Sequence, residues 1–207
     1  MGSDVVSPRR AATRDRLCDA AMGVIAEKGV LGASIEEICD AAGFTRGAFY
    51  SNFAGRDELC AAIMERQASV ALALLGDTVA HVRSSPDESL DELIERAVKM
   101  FLSAQPGDRP SILVTQELQL YAAREPAFAP VYTEQQRRGM TALSELVARA
   151  LTAHGYAWTI DPVDAVGVLY AVHNHGELST ILGSGSFAGE RRIRLLTQVV
   201  RSLIRPI

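Results

Sequence analysis

The sequence predicts an all-α fold of about nine helices. Hydrophobic residues make up 48% of the chain and aromatic residues only 6%, a composition that favours packed helices over a β-sandwich. Apolar residues recur three and four positions apart along most of the chain. Segments rich in glycine, proline or serine, such as "SSPDES" at 84–89 and "QPGDRP" at 105–110, separate these runs, and no strand pattern is visible.

The chain is predicted to begin with a flexible basic arm over residues 1–12. A helix follows from Thr13 to Lys28, since Leu17 and Ile25 belong to one apolar stripe at helical spacing. Gly29 is predicted to end this helix as a C′ glycine.

Two short helices follow, separated by a glycine turn. Ser34 is a good N-cap, and Glu37 three residues later completes a capping box. Gly43 ends this second helix, and Thr45 caps a third that runs to about Phe53. Helix, glycine turn and helix within some twenty residues is the helix-turn-helix arrangement.

The rest of the chain is also predicted to be helical and to form a second domain. A long fourth helix is predicted from Arg56 to about Ala80, with acids in its first turn, where the helix dipole favours them. We expect a helix-turn-helix domain over residues 13–58 and a helical domain over 59–207. The later helices are predicted at about 87–104, 111–124, 130–154, 162–182 and 190–204.

The third helix has the composition of a surface that contacts DNA. Phe49 and Phe53 are four residues apart and are predicted to face inward, which turns the intervening polar residues outward. Between Ala41 and Arg56 there are two arginines and no acid, whereas an ordinary solvated face would mix charges of both signs. Hydroxyl and amide groups bind phosphate oxygens, and arginine can also reach a base edge. On these grounds the candidate DNA-binding residues are Thr45, Arg46, Gly47, Tyr50, Ser51 and Asn52.

The bulk charge of the chain does not by itself indicate nucleic acid. The formal net charge is -4, which argues against a positively charged coat but allows a local basic face. The first residues, "MGSDVVSPRR", lack the apolar segment of a signal peptide, and "AVGVLYAV" is too short to span a bilayer. We therefore expect a cytoplasmic protein without a membrane partner.

The segment from Leu17 to Leu59 resembles the DNA-binding domain of tetracycline-repressor-type (TetR family) regulators. The matching features include Glu27-Lys28-Gly29, Ala42-Gly43, the Gly47…Phe49-Tyr50…Phe53 run and Asp57-Glu58-Leu59. The resemblance implies a homodimeric repressor that reads a pseudo-palindromic double-stranded DNA operator through Thr45–Asn52. It adds Ser34, Ala48 and Arg56 to the candidate DNA-binding residues. It also implies a small-molecule inducer that binds the C-terminal domain and shifts the fourth helix. Asn52 and Ala54 depart from the residues common in the family.

The resemblance places the dimer interface on the last two helices, 162–182 and 190–204. The second of these helices has an apolar stripe that suits half of a four-helix bundle, although an ordinary core helix explains the stripe nearly as well. The candidate interface residues are Leu169, Val172, Ile193, Leu196, Val200 and Leu203.

Apolar and polar residues of the C-terminal domain are candidate ligand contacts. His173 and Glu177 are four residues apart on one helical face, which fits polar hooks in a pocket, a hydrogen-bonded pair at the dimer interface or a metal pair. No third ligand at suitable spacing is evident, so we expect no metal, and no cofactor is indicated. The inducer is expected to be largely apolar. The candidate ligand-binding residues are Met100, Phe101, Gln116, Leu120, Tyr121, Tyr170, His173 and Glu177.

Two other hypotheses remain open on sequence grounds. A protein partner could replace the small ligand, or oxidation of Cys18, Cys39 or Cys60 could supply the signal, although each cysteine lies beside apolar neighbours in a predicted helix. An all-helical enzyme is a remote alternative, because no nucleophile, base and acid form a recognisable set. We therefore expect a DNA-binding regulator and not an enzyme.

Overall fold

The computed structural model describes residues 8–81, 89–105, 107–184 and 189–207, and side chains of residues 77–81 are not described. The predicted all-α fold is confirmed, with nine helices in the described part of the chain. They are α1 (Pro8–Gly32), α2 (Ile35–Ala42), α3 (Arg46–Tyr50), α4 (Arg56–His81), α5 (Leu90–Ala104), α6 (Arg109–Arg124), α7 (Ala129–Ala153), α8 (Pro162–Ile181) and α9 (Glu190–Leu203).

The prediction that the chain has no strands is wrong in one place. Residues Tyr156–Trp158 form β1, and Ile204–Pro206 form β2. The two pair antiparallel, with Ala157 opposite Arg205. Two strands of three residues are too short to show the alternating pattern from which strands are recognised in a sequence.

The chain divides into two compact units. The N-terminal unit contains the residues up to Arg66 together with Asp108–Gln135, and the C-terminal unit contains Gln67–Gly107 and Gln136–Ile207. The N-terminal unit is larger than the helix-turn-helix domain predicted at 13–58, because α6 packs along α1. Periodicity along the chain gives no information on which helices pack together, so this contact is not visible in the sequence.

The first helix begins earlier than predicted. It starts at Pro8, so residues 8–12 are helical and the prediction of a flexible arm is wrong for them, while residues 1–7 lie outside the described part of the chain. Proline is well tolerated in the first turn of a helix, which explains the start. Gly29 interrupts the helix with φ 74° and ψ 166°, a region of backbone geometry that is essentially restricted to glycine. The helix resumes for one turn, to Gly32, instead of ending at Gly29.

The core of the N-terminal unit holds the helix-turn-helix together. Phe49 and Phe53 are fully buried, as predicted, and pack with Leu17 of α1. Leu118 of α6 and Phe128 close the same cluster. The third helix is thus anchored to α1, α2 and α6 by large apolar side chains.

Capping interactions fix the start of α2 and the turn between α2 and α3, as predicted. The Ser34 hydroxyl accepts a hydrogen bond from the Glu37 amide at 3.1 Å, and the Glu37 carboxylate accepts one from the Ser34 amide at 3.0 Å. Gly43 adopts the left-handed conformation (φ 69°) that ends α2. Thr45 then caps α3, accepting from the Ala48 amide at 3.2 Å.

The C-terminal unit packs α9 against α5 and α8. Ile94 and Val98 of α5, Ala165 of α8 and Leu196 of α9 form a buried cluster with Trp158 of β1. The β1–β2 pair holds the end of α9 next to the loop that follows α7, since the Thr159 amide donates to the Leu203 carbonyl at 2.7 Å.

Candidate nucleic-acid interface and ligand cavity

The outer side of α3 presents a continuous polar surface, which we call the recognition face. It consists of Thr45, Arg46, Gly47, Tyr50 and Ser51, all of which are exposed, while Ala48 beside them is half-buried. A Cβ on Gly47 would meet only the Thr45 hydroxyl, at 3.7 Å, so the backbone is open to close approach here. Such a surface can offer hydroxyl, guanidinium and backbone donors to phosphates and base edges.

One acid that sequence reasoning missed lies against this face. The Arg46 Nη1 atom is 2.6 Å from the Glu36 Oε1 atom, and both side chains are exposed. Tyr50 and Glu36 raise the pKa of the Arg46 guanidinium by hydrogen bonding. Glu36 precedes the acid-free segment in sequence, and only the folding of α2 against α3 brings it to Arg46. The absence of acids between 41 and 56 therefore does not describe the charge around the recognition face.

Two of the predicted DNA contacts have side chains that bond within the protein. Asn52 is buried, and its amide donates to the Ala48 carbonyl at 2.8 Å at the end of α3. Arg56 is half-buried and donates to the Ala33 carbonyl at 3.0 Å, which ties α4 to the turn before α2. Both stay predicted DNA contacts.

Two arginines of α1 also bond within the protein. Arg14 lies over the Phe53 ring, with its guanidinium carbon 4.2 Å from the ring centre, and it donates to the Asn52 carbonyl. Arg16 lies over Phe44 and donates to the Ala42 carbonyl at 2.9 Å. These arginines support the turns around α3 by cation–π and backbone contacts. Ser34 is likewise half-buried and engaged in its capping box, and it stays a predicted contact.

The C-terminal unit contains an apolar cavity of about 140 Å³. Met100 and Phe101, two of the predicted ligand contacts, line it. The described lining residues include no aspartate, glutamate, lysine or arginine. They are Leu75, Leu90, Leu93, Ile94, Ala97, Val98, Met100, Phe101, Leu146, Val147, Ala150, Leu151, His154, Tyr156, Trp158, Leu169, Leu196, Val200 and Ile204.

Three predicted ligand contacts on α6 do not belong to this cavity. Gln116, Leu120 and Tyr121 lie in the N-terminal unit, and Leu120 is exposed. The Tyr121 hydroxyl donates to the Asp57 carboxylate at 2.7 Å, and burial together with this bond raises the pKa of Tyr121 to about 12. They do not line this cavity, because α6 packs on α1 and α4 residues of its own unit, and their role as ligand contacts stays a prediction.

The polar residues of α8 form a separate buried cluster. Glu177 is paired with Arg192 of α9, and the His173 Nδ1 atom lies 3.9 Å from the Glu177 carboxylate. Burial lowers the pKa of His173 to about 4 and Arg192 contributes to the lowering, whereas Glu177 opposes the shift. Tyr170 and Phe101 pack their rings on the imidazole. Tyr170, His173 and Glu177 are not lining residues of the cavity described above.

Within the described residues, no three His, Cys, Asp or Glu side chains converge in a way that could hold a metal ion. Glu177 forms an ion pair with Arg192, and this ion pair offsets the cost of burying the Glu177 charge beside His173.

The two central residues of the predicted dimer interface on α9 are buried, and the interface itself stays a prediction. Leu196 and Val200 are buried in the core of their own unit and line its cavity. The other four candidates are half-buried and pack against the same core: Leu169, Val172, Ile193 and Leu203. An apolar stripe predicts burial without indicating whether the partner is the same chain or another. Exposed apolar residues lie instead on α8, where Val163, Val168 and Ala171 face outward.

The three cysteines are buried and free. Burial raises the pKa of the Cys18 thiol to about 11 and that of Cys60 to about 12, and it also raises the pKa of Cys39. Oxidants react with exposed thiolates, so these neutral buried thiols do not support the oxidation hypothesis.

One described helix segment, Arg56–Gly76 of α4, is long and apolar enough to cross a membrane by length and composition alone. Core helices of soluble proteins pass the same test. Here Leu59, Cys60 and Ile63 in the first part of the segment belong to the core of the N-terminal unit.

Comparisons with known proteins match the N-terminal unit most specifically. The family model described as "Bacterial regulatory proteins, tetR family" matches residues 17–63. An uncharacterized HTH-type transcriptional regulator of Pseudomonas putida, TtgW, is 42% identical over 52 residues, which are 25% of this chain and 39% of that protein. The chain thus aligns with less than half the length of this curated relative.

Solved structures share the fold over nearly the whole chain. The fatty acid degradation regulator FadR from Bacillus halodurans has a TM-score of 0.69 at 18% identity, covering 90% of this chain and 93% of that one. A transcriptional regulator from Rhodococcus sp. has a TM-score of 0.67 at 22% identity, covering 92% of this chain and 95% of that one. The reduced form of NemR from E. coli has a TM-score of 0.66 at 18% identity, covering 94% of this chain and 99% of that one. At these identities the likeness shows a common fold.

Proposed function

We propose that this chain is a member of the tetR family of bacterial regulatory proteins, whose model matches residues 17–63, and that it is a homodimeric transcriptional repressor released from its operator by a small molecule. The recognition face would enter the major groove of a half-site in double-stranded DNA, and two copies would read a pseudo-palindrome. A largely apolar inducer would occupy the cavity of the C-terminal unit. The resemblance to regulators argues against an enzyme.

The observation that carries the proposal is the rigid presentation of the recognition face. Phe49 and Phe53 fix the inner side of α3, and Thr45 caps its first turn. Arg46 and Tyr50 are left exposed on the outer side. Groups held on a rigid element can contact a groove with little loss of conformational entropy, which favours binding.

The ion pair between Arg46 and Glu36 would make DNA binding by this surface more selective for sequence. To contact DNA, Arg46 must exchange the Glu36 carboxylate for a guanine edge or a phosphate oxygen. Glu36 also carries a negative charge that phosphates repel. The pair therefore lowers the affinity for arbitrary DNA, and a bidentate base contact recovers the loss only at a matching sequence.

The exposed side of α8 is the surface that fits a second copy of the chain. Val163, Val168 and Ala171 are exposed there. Small and apolar residues on one helical face suit the packing of a four-helix bundle. The proposed dimer contact therefore lies on α8 rather than on the buried stripe of α9.

The cavity supports regulation by a small ligand. Its described lining is almost entirely aliphatic and aromatic, as in sites that bury most of a small molecule. A ligand that binds one conformation of the chain more tightly than another would shift the DNA-binding equilibrium by the difference in affinity.

The test is fluorescence anisotropy with labelled duplex DNA from upstream of the gene, measured over a salt series. Specific binding with a steep salt dependence is expected, because phosphate contacts release counterions. Arg46→Ala should weaken specific binding by about 10-fold, since one base or phosphate contact is lost. Glu36→Gln should instead tighten binding to random DNA.

Arg149→Ala is the matched control. Arg149 is exposed and lies 4.0 Å from Glu145 on α7, so its removal also deletes a surface charge from an ion pair. It should leave DNA affinity unchanged. Equal effects of Arg46→Ala and Arg149→Ala would refute the proposed interface.

A further inference from the structure

The third helix, α3, is too short to fix its own orientation. It contains five residues, whereas isolated helices below about 12–15 residues are marginal in water. Its orientation is therefore set by the packing of its inner side and by contacts of the chain at its two ends. A binding group must be held to within about 0.5 Å of its productive position. The side chains that hold the ends of α3 therefore bear on how the recognition face reads DNA.

Arg14 of α1 holds the end at which the chain leaves α3. Its Nη1 atom donates to the Asn52 carbonyl, and its guanidinium carbon lies 4.2 Å from the centre of the Phe53 ring. The same Nη1 atom lies 3.2 Å from the Glu58 carboxylate, whose other oxygen accepts a hydrogen bond from the Ala54 amide at 2.8 Å. One side chain thus joins α1 to the turn after α3 and to the first turn of α4.

These contacts depend on the shape of the guanidinium group. A planar guanidinium can stack its face on an aromatic ring while its edge donates hydrogen bonds. The ammonium group of lysine carries the same charge but has no flat face and no fixed fork of donors. Arg14→Lys would therefore keep the charge and lose the combined contact.

The end at which the chain enters α3 is held separately. Arg16 donates to the Ala42 carbonyl at 2.9 Å, and its guanidinium carbon lies 4.6 Å from the centre of the Phe44 ring. Phe49 of α3 is also fully buried in the core. Loss of the Arg14 contact leaves both attachments in place, so we expect α3 to change its tilt and not to leave the core.

The surroundings of Arg14 argue against a direct contact between its side chain and DNA. The hydrogen bond from the Ala54 amide lowers the pKa of Glu58, and the bond from Arg14 also lowers it. The carboxylate is therefore ionised at neutral pH, and its charge balances that of the guanidinium. A phosphate group at the same place would be repelled by Glu58.

We propose that Arg14 is a positioning residue for DNA recognition: it sets the tilt of α3, and with it the sequence specificity of the recognition face, without binding DNA itself. The inference rests on the proposed function, in which the recognition face enters the major groove. Affinity for arbitrary DNA comes from phosphate contacts, which depend mainly on charge. Bidentate contacts to base edges depend on geometry, so a change in tilt weakens them first.

A comparison of two duplexes tests the effect on specificity. One duplex is the sequence that the unaltered full-length protein enriches from random DNA, and the other is a shuffled duplex of the same composition. Arg14→Lys should lower the ratio of the two affinities by about 10-fold, because a base contact of the recognition face is misplaced. It should leave the affinity for the shuffled duplex and the salt dependence of binding unchanged, because the charge is kept.

Arg66→Lys is the matched control. Arg66 of α4 also binds α1 through a backbone carbonyl and a carboxylate, since it donates to the Asp15 carbonyl at 3.0 Å and forms an ion pair with Asp19. Its side chain is 30% exposed, close to the 27% of Arg14. These partners lie on α1 and not in or beside α3. Arg66→Lys should therefore destabilise the unit to a similar extent and leave the ratio of affinities unchanged.

Amide hydrogen exchange tests the positioning without DNA. The amides of residues 51–53 donate to carbonyls of α3, so their exchange reports opening of its end. In Arg14→Lys they should exchange on the order of 10-fold faster relative to the amides of α1, whereas in Arg66→Lys they should not. If Arg14→Lys does not fold, Glu58→Gln removes only the ion-pair part of the contact and should give a smaller acceleration at the same amides.

Three outcomes would overturn the inference. An unchanged ratio of affinities in Arg14→Lys would show that any positive charge at this position suffices, as in a phosphate contact. Equal losses in Arg14→Lys and Arg66→Lys would show a role in stability alone. Unchanged exchange at residues 51–53 would show that Arg14 does not hold the end of α3. Failure of the unaltered protein to enrich any sequence would instead refute the proposed function, and the exchange measurement would still decide whether Arg14 holds α3.

Discussion

Replacing Gly29 with alanine should destabilise the N-terminal unit, whereas replacing Gly23 in the same helix should stabilise it. Gly29 has φ 74° and ψ 166°, and the Glu117 carboxylate of α6 lies against it. Its neighbour Val30 donates its amide hydrogen to that carboxylate at 3.3 Å. Gly23 lies in the regular part of α1, and a Cβ there would meet nothing within 4 Å.

The expected changes in unfolding free energy follow from the backbone conformation at each glycine and from the space available to an added Cβ. The backbone conformation of Gly29 costs about 1–3 kcal/mol for a residue with a side chain. The added Cβ would also lie 2.7 Å from the Glu117 Oε2 atom, so that carboxylate must move and its bond to Val30 is lost. Alanine at Gly23 should gain about 0.5–1 kcal/mol from higher helix propensity. The two variants should therefore differ by roughly 2–4 kcal/mol in unfolding free energy.

Urea unfolding monitored by circular dichroism measures this difference. Gly29→Ala combined with Glu117→Ala should recover only the part of the loss that comes from the clash, because the backbone strain remains. Equal stability of Gly23→Ala and Gly29→Ala would refute the reasoning. Full recovery in the double variant would show that the clash alone, and not the backbone geometry, requires glycine.

Two further predictions concern the C-terminal unit. Val168→Glu should weaken the proposed dimer, measured by sedimentation, without loss of helix content. Leu196→Glu should instead lower the midpoint of thermal unfolding, because Leu196 is buried in the core of its own unit. Loss of the dimer in Leu196→Glu alone would move the interface back to α9. His173 has its pKa lowered from 6.5 to about 4, so the unfolded state binds more protons between these values, and stability should fall as the pH drops from 6.5 towards 4. His173→Gln should flatten that part of the profile in denaturant titrations at several pH values, and an unchanged slope would contradict the buried, neutral imidazole.

The helix-turn-helix could be predicted because its determinants are local. Ser34, Gly43 and Thr45 act through capping and turn geometry within a few residues of themselves. The inward position of Phe49 and Phe53 follows from their spacing alone. Elements specified in this way can be recognised from sequence before any tertiary contact is known.

The features of the site that could not be predicted depend on tertiary contacts. Arg56 and Asn52 have residue types that suit phosphate binding, and only the folded chain shows that they also bind backbone carbonyls. Glu36 reaches Arg46 only once α2 and α3 pack together. That Tyr121 lies outside the cavity of the C-terminal unit could not be predicted, because the sequence gives no information on which unit α6 joins.

Selection of binding sites from random duplex DNA by the full-length protein tests the central claim most directly. Such a selection needs no knowledge of where the operator lies. The account predicts enrichment of an inverted repeat whose half-sites are read by the recognition face, and a loss or relaxation of one base position in each half-site for Arg46→Ala. Failure to enrich any sequence, or an identical motif from Arg46→Ala, would contradict it.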